Sequence, residues 1–217
     1  MLEDETFTEE EIPRVTEIMK EFIIAMTERE TAYLLSKLKV SKNYYEYGCG
    51  GSTLLACSYG PKDLKIHSID SSSEWVNKML NNTCIKDSVN SGRLSIQYDN
   101  LGVIGDLGYP RDYSEISKNT WHTYSESIYF VREKVDLVLV DGRFRVACML
   151  QAMLNKPDAV IIVHDFYNRG HHWNYVAILN VADIIENVDT FARIRRKAFV
   201  SDQQLKIMHE EYKMISD

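Results

Sequence analysis

The chain has 217 residues, 45% hydrophobic and 26% charged, with a net charge of −7. That length and balance fit one globular α/β domain with a sizeable core. The acidic surplus argues against general nucleic-acid binding, which draws its affinity from basic side chains on phosphates. The only dense basic run is Arg193, Arg195, Arg196 and Lys197, whose alternation reads as an exposed strand face. The cysteines at 49, 57, 84 and 148 show no Cys-x-x-Cys spacing, so we expect free thiols, a reducing compartment and no zinc site. No apolar run is long enough to span a bilayer, and the first residues are acidic rather than leader-like, so the expected location is cytoplasmic.

Taken in order, Val15, Ile18, Met19, Phe22, Ile23 and Met26 recur at helical spacing and predict a helix over about 12–27. A second helix, about 29–38, completes an N-terminal helical cap over residues 1–40. From residue 44 strands and helices alternate, as a parallel sheet requires. The predicted strands are 44–48, 64–69, 94–98, 135–140 and 159–163. Helices follow the first (about 52–58), the second (Trp75 to Leu80) and the fourth (Val146 to Leu154). A helix over about 173–186 and two strands near 190–198 and 204–212, joined by a turn at Ser201-Asp202, complete the expected fold. It is a Rossmann-like α/β domain with a seven-stranded, mostly parallel sheet covered by helices on both faces, spanning residues 1–217. Residues 101–133 are rich in glycine and aromatics and lack periodicity, which predicts a substrate-shaping loop.

The chemistry concentrates at strand ends. Tyr44 to Tyr47 run into Gly48-Cys49-Gly50, and an apolar helical pattern follows from Leu54. A strand turning sharply into a helix presents backbone N–H groups, and glycines let a ligand approach closely. Twenty residues past Gly50, Asp70 closes the second strand, where a carboxylate can accept from both ribose hydroxyls. These residues describe a nucleoside-cofactor site. A dinucleotide fingerprint would place a third small residue where Thr53 stands. Asp141 ends strand four, and His164-Asp165 end strand five. Ligands of open parallel sheets bind beyond these carboxyl ends. Asp141, His164 and Asp165 therefore read either as a general-base group or as holders of a divalent cation, with Asp141 and Asp165 as its oxygen ligands. Arg143 and Arg145 either steer an anionic acceptor or pair with Asp141 and Asp165, and pairing is the simpler account. Trp121, Tyr124 and Trp173 are candidates to stack on a ring, with core packing an equal alternative. His171 and His172 read as loop or surface histidines.

The Glu46-x-Gly48-x-Gly50 pattern resembles motif I of class I S-adenosylmethionine (SAM) methyltransferases. The acids after strands four and five are similar to those of metal-dependent O-methyltransferases of the catechol and macrolide-sugar type, although His164 departs from the usual Asp-Asn or Asp-Asp pair. More closely, Val140 to Cys148 together with Ile162 to Phe166, and Trp121 to Tyr124, resemble small methyltransferases associated with or fused to glycan-building glycosyltransferases. A domain of a chlorovirus glycan-synthesis polyprotein is one of them. The resemblance spans about residues 44–170. It implies SAM as cofactor, with Mg²⁺ or Mn²⁺ as the cation if one is used, and methyl transfer to a hydroxyl, foremost of a sugar in a glycan. It further implies that Glu46, Gly48, Gly50 and Ser52 cradle the methionine portion, that Asp70 binds the ribose, and that Ser71, Asp99 and Asn100 lie near the adenine. Asp141 would border the cofactor, and Arg143, Trp121 and Tyr124 the acceptor. A larger polyprotein carrying glycosyltransferase domains is the implied context. The alternatives are a phenol- or catechol-type O-methyltransferase, a NAD-binding Rossmann oxidoreductase and a methyltransferase-like scaffold without turnover.

Overall fold

The structure, a computed structural model, describes residues 24–167 and 173–216. Residues 24–27 are not helical; the rest of the helix expected over 12–27 lies outside the described residues, as do His171 and His172. The first helix, α1 (Glu28–Val40), starts from a capping box. The Thr27 hydroxyl accepts from the Glu30 backbone N–H, and the Glu30 carboxylate accepts from the Thr27 N–H. It leads into β1 (Asn43–Tyr47), α2 (Gly51–Tyr59), β2 (Lys65–Asp70), α3 (Ser73–Leu80), α4 (Thr83–Asn90) and β3 (Leu94–Tyr98). Then follow α5 (Glu115–Glu126), β4 (Leu137–Val140), α6 (Arg145–Asn155), β5 (Val160–Val163), α7 (Trp173–Ala177), β6 (Ala182–Val188), β7 (Phe191–Arg196) and α8 (Asp202–Tyr212).

The sheet order is β3-β2-β1-β4-β5-β7-β6, with β1 to β5 parallel and β7 antiparallel to both of its neighbours. All four residues of β4 are buried. The sheet is covered on both faces, so its central strands read as continuous apolar runs. Alternate side chains serve two cores. Tyr44, Leu137, Leu139 and Ile162 pack with α1, α2 and α3, while Tyr45, Val138, Val140 and Val163 pack with α5, α6 and α8. Strand order reverses between β1 and β4, which opens a crevice at their carboxyl ends.

Three expectations are corrected. Residues 101–133 are not an irregular loop throughout, since α5 and a 3₁₀ turn at Ser127–Phe130 occupy the second half. Ser114 caps α5, and Trp121, Tyr124 and Ile128 recur at helical spacing to bury one face. The helix expected over 173–186 is short, and β6 takes its second half. The final strand expected at 204–212 is α8, capped by Ser201 and Gln204 in a second capping box. The sequence-level reading also passed over α4. The basic run on β7 is spent in pairs, Arg193 with Glu186 at 3.2 Å and Arg196 with Asp202 at 2.6 Å.

Candidate active site

The turn after β1 is the first wall. Gly48 has φ +93°, and its N–H donates to the Ile69 carbonyl at 2.8 Å, tying the ends of β1 and β2 together. A Cβ there would lie 2.9 Å from the Gly142 backbone nitrogen and 3.1 Å from the Asp141 carbonyl carbon. Only glycine lets these two strand-end turns meet so closely. Gly48→Ala is expected to destabilise the fold by about 3 kcal/mol, from the backbone conformation plus a clash with backbone atoms that cannot rotate away. Thermal melts of the variant check this, and an unshifted melting temperature would contradict it.

Glu46 lies beneath this turn, fully buried, and does not line the crevice. Its carboxylate accepts from Tyr44 Oη at 2.8 Å, from Ser52 Oγ at 2.9 Å and from Thr53 Oγ1. Thr53 Oγ1 in turn accepts from the Gly50 N–H at 2.9 Å. Where a dinucleotide fingerprint would place a small residue, this chain has a hydroxyl wired to a buried acid. Glu46 therefore shapes the turn from below, which corrects the expectation that it touches the cofactor's methionine portion. Burial pushes its carboxyl up to about 7 against the lowering effect of those hydroxyls. An acid whose pKa is raised by folding contributes stability below its unfolded value, and that contribution is lost as pH rises from about 4.5 to about 7. Over that window the stability difference between wild type and Glu46→Gln should change by about 3 kcal/mol, to the variant's advantage at the higher pH. Urea melts at both pH values measure it, and parallel profiles would refute it.

Asp70 joins the turn to α3. Its Oδ2 accepts from the Cys49 N–H at 3.1 Å and its Oδ1 from the Ser72 N–H at 2.8 Å. Each oxygen keeps lone-pair capacity for a diol. The Trp75 indole is pinned against the same turn, its Nε1 donating to the Cys49 carbonyl at 2.6 Å.

The second wall comes from the ends of β4 and β5. Asp141 Oδ1 meets His164 Nδ1 at 2.8 Å and Arg145 Nη2 at 3.2 Å. Arg145 Nη1 lies 3.7 Å from Asp165 Oδ2 and donates to the His164 carbonyl. Its Nε and Nη2 donate to the Gly142 and Asp141 carbonyls, each at 3.0 Å. This buried guanidinium clamps both strand-end turns, so pairing with Asp141 and Asp165 is its structural role. Burial raises the Asp141 carboxyl, but the His164 hydrogen bond and the Arg145 charge outweigh it and hold it below the usual carboxylate range. Burial lowers the His164 imidazole, but its hydrogen bond to Asp141 and the charges of Asp141, Asp165 and Glu30 outweigh it, leaving its pKa raised. Phe144 and Asp165 adopt left-handed φ values of 53° and 57° here. Strain of this kind persists where surrounding contacts enforce it, commonly at functional sites.

Between the walls lies a cavity of about 620 Å³, within the range of small-molecule sites. Of the residues expected from sequence, Gly48, Gly50, Ser52, Asp70, Ser71, Tyr124, Asp141, Arg143, His164 and Asp165 line it. Ser52 already donates its hydroxyl to Glu46. Tyr124 is almost fully buried, and its hydroxyl sits where a Cβ on Gly142 would fall. The Arg143 guanidinium lies 4.1 Å from the centre of the Tyr109 ring. Besides Glu46, three expected residues do not line the cavity. Trp121 is fully buried, donates to the Leu101 carbonyl at 3.1 Å and packs on Phe144, so it cannot offer a face to an acceptor. Asp99 accepts from Thr123 Oγ1 at 2.8 Å, and Asn100 caps its own turn at Gly102.

Sequence reasoning passed over Ile24, Met26, Trp75 and Leu107, which line the cavity, and Glu30, whose Oε2 lies 3.7 Å from His164 Nε2. Trp75 could have been found, since it stands one turn past Asp70. Glu30 carries only a capping-box signature, which says nothing of His164.

Among the described residues, ligand atoms of Asp141, His164 and Asp165 lie within 4.8 Å of one another. Two carboxylates and an imidazole form a donor set suited to a divalent cation.

No protein-family model matches the chain, and no curated protein matches it. Solved structures do. A methyltransferase-like protein from Silicibacter pomeroyi superposes with a TM-score of 0.69 at 21% identity, over 89% of this chain and 97% of that one. A methyltransferase from Podospora anserina bound to S-adenosylhomocysteine gives 0.54 at 15% identity, over 88% of each chain. An O-methyltransferase from Bacillus cereus in complex with the same ligand gives 0.51 at 13%, over 91% and 94%. With the strand order, these likenesses establish that the chain has the Rossmann-like fold of class I methyltransferases.

Proposed function

We propose that the protein is a SAM-dependent O-methyltransferase. One observation carries the reading: a single cavity at the β1/β4 switch point has the glycine turn and Asp70 on one wall and Asp141, His164 and Asp165 on the other. Asp70 receives the ribose hydroxyls, and the Gly48–Gly50 backbone admits the methionine portion. The acidic lining favours the sulfonium and ammonium charges of SAM. The acceptor oxygen attacks the methyl carbon in line, its C–O bond forming as the C–S bond breaks, and the hydroxyl proton leaves to a base. Asp141 engages Nδ1 of His164 and so leaves Nε2 as the atom that takes the proton. Asp141, His164 and Asp165 would hold Mg²⁺ or Mn²⁺, which when bound lowers the pKa of the acceptor hydroxyl as a Lewis acid. Two solved neighbours that hold S-adenosylhomocysteine support the cofactor, and the O-methyltransferase from Bacillus cereus supports oxygen as the acceptor atom. The resemblance of the Asp141-Gly142-Arg143 and Ile162 to Phe166 blocks to glycan-associated methyltransferases supports a sugar hydroxyl.

Methyl transfer from labelled SAM to a panel of sugar glycosides and catechols tests the reading. Transfer to a sugar alone is expected. Transfer only to catechols would overturn the sugar assignment, and transfer to neither would overturn the enzyme reading. Chelator treatment assigns the proton route: loss of activity restored by Mg²⁺ or Mn²⁺ places a cation on the three side chains, and an unchanged rate leaves His164 alone as the base. Among the described residues no helix is long and apolar enough to cross a membrane.

A further inference from the structure

We propose that Glu30 is a positioning residue of this site, fixing the Asp165 turn and placing a negative charge beside His164. The proposal rests on the reading of the site given above. Glu30 belongs to α1, at the opposite end of the sequence from the strand-five acids. It is 1% exposed, whereas a residue that only closes a helix cap can face solvent. Burying a carboxylate is costly unless its oxygens are satisfied. Here Oε2 accepts from the Thr27 N–H at 2.8 Å, while Oε1 accepts from the Thr190 N–H at 2.7 Å and from Thr190 Oγ1 at 2.5 Å.

Thr190 is the relay. Its Oγ1 accepts from the Asp165 N–H at 3.3 Å, and its carbonyl accepts from the Phe166 N–H at 2.9 Å. Together with the Arg145 clamp, these bonds tie down Asp165 in its left-handed conformation. Glu30 thus reaches the Asp165 backbone through one hydroxyl while its Oε2 lies 3.7 Å from His164 Nε2. A second set of contacts fixes α1 over the same hairpin. Thr27 Oγ1 donates to Asp189 Oδ2 at 2.6 Å, Arg29 pairs with Asp189 at 2.9 Å, and Tyr33 Oη donates to Glu186 at 2.6 Å. Loss of the Glu30 contacts alone would therefore leave α1 docked, which separates positioning from folding.

The test compares Glu30→Gln, Thr190→Val and Thr190→Ser in the full chain. Glu30→Gln keeps the shape and an acceptor for Thr190 but removes the charge, and Thr190→Val removes the relaying hydroxyl that Thr190→Ser retains. For the first two, kcat per folded molecule should fall by about tenfold to a hundredfold, as for a small misplacement of reacting groups. Their KM for SAM and affinity for S-adenosylhomocysteine should stay near wild type, and Thr190→Ser should behave as wild type. A lowered melting temperature with kcat unchanged would make Glu30 a cap alone and overturn the proposal. Amide hydrogen exchange supplies a readout free of catalysis. Asp165 and Phe166 should exchange faster in Thr190→Val and in Glu30→Met, which removes the acceptor that glutamine keeps, with Cys49 and Gly50 unaltered, and unchanged exchange at 165 and 166 in both overturns the proposal. A wild type that transfers no methyl group would sink the enzyme reading, and the exchange result would still decide whether Glu30 holds the Asp165 turn.

Discussion

Replacing Arg145 with methionine is expected to lower stability by about 3–5 kcal/mol, the usual cost of leaving buried ion-pair partners uncompensated. Its side chain is 2% exposed and faces the carboxylates of Asp141 and Asp165. It also donates to the carbonyls of Asp141, Gly142 and His164. Methionine fills much of the volume but supplies none of these donors, so three carbonyls and two carboxylates lose a partner at once. In a chain of this size the melting temperature should fall by about 10 °C. Arg145→Lys should recover part of the loss, because it restores a charge but not the planar fork. A methionine variant as stable as wild type would show that the clamp contributes specificity rather than stability.

Asp141→Asn is expected to slow methyl transfer by about 10²- to 10⁴-fold, the range over which a positioned acid–base partner acts. Asparagine keeps the size of the side chain and its contact with the Arg145 fork. It removes the charge that raises the His164 pKa and one of the two carboxylates available to a cation. On the proposed reading Asp70 binds the cofactor's ribose end, so affinity for S-adenosylhomocysteine should fall far less than the rate. Measuring rate and affinity on the same preparation separates the two. Equal loss in both would make Asp141 a cofactor ligand, and no loss in either would remove it from the chemistry.

The parts of this account legible in the sequence share one physical origin. Strands β4 and β5 are covered on both faces and appear as unbroken apolar runs, and β1 as a run of tyrosines broken by Glu46, so an acid or glycine at their ends stands out. Gly48, Asp141 and Asp165 stand out in that way, Asp70 does so as the end of β2, and all four meet at one cavity. The C-terminal third misled because β6 is an edge strand whose residues after Ala182 alternate only between exposed and half-buried. The apolar spacing from Tyr175 to Ile185 therefore imitated a helix. For α8 the opposite holds: Ser201, Gln204, Leu205 and Met208 carried a cap and a helical stripe that the expectation of a final strand overrode. Glu46 and Trp121 were assigned by motif position, and burial removed both from the cavity. Glu30 could not be placed by any local pattern, because its partners Thr190 and His164 lie more than 130 residues away and only the fold brings them near.

The central claim is that the cavity is built for SAM. Calorimetric titration with S-adenosylhomocysteine, with NAD as control and each repeated in Mg²⁺ or Mn²⁺, tests it most directly. Binding of the homocysteine at about micromolar Kd, with no heat from NAD, is the predicted result. Binding of NAD without the homocysteine would contradict it, since the glycine turn and Asp70 would then serve a different nucleoside.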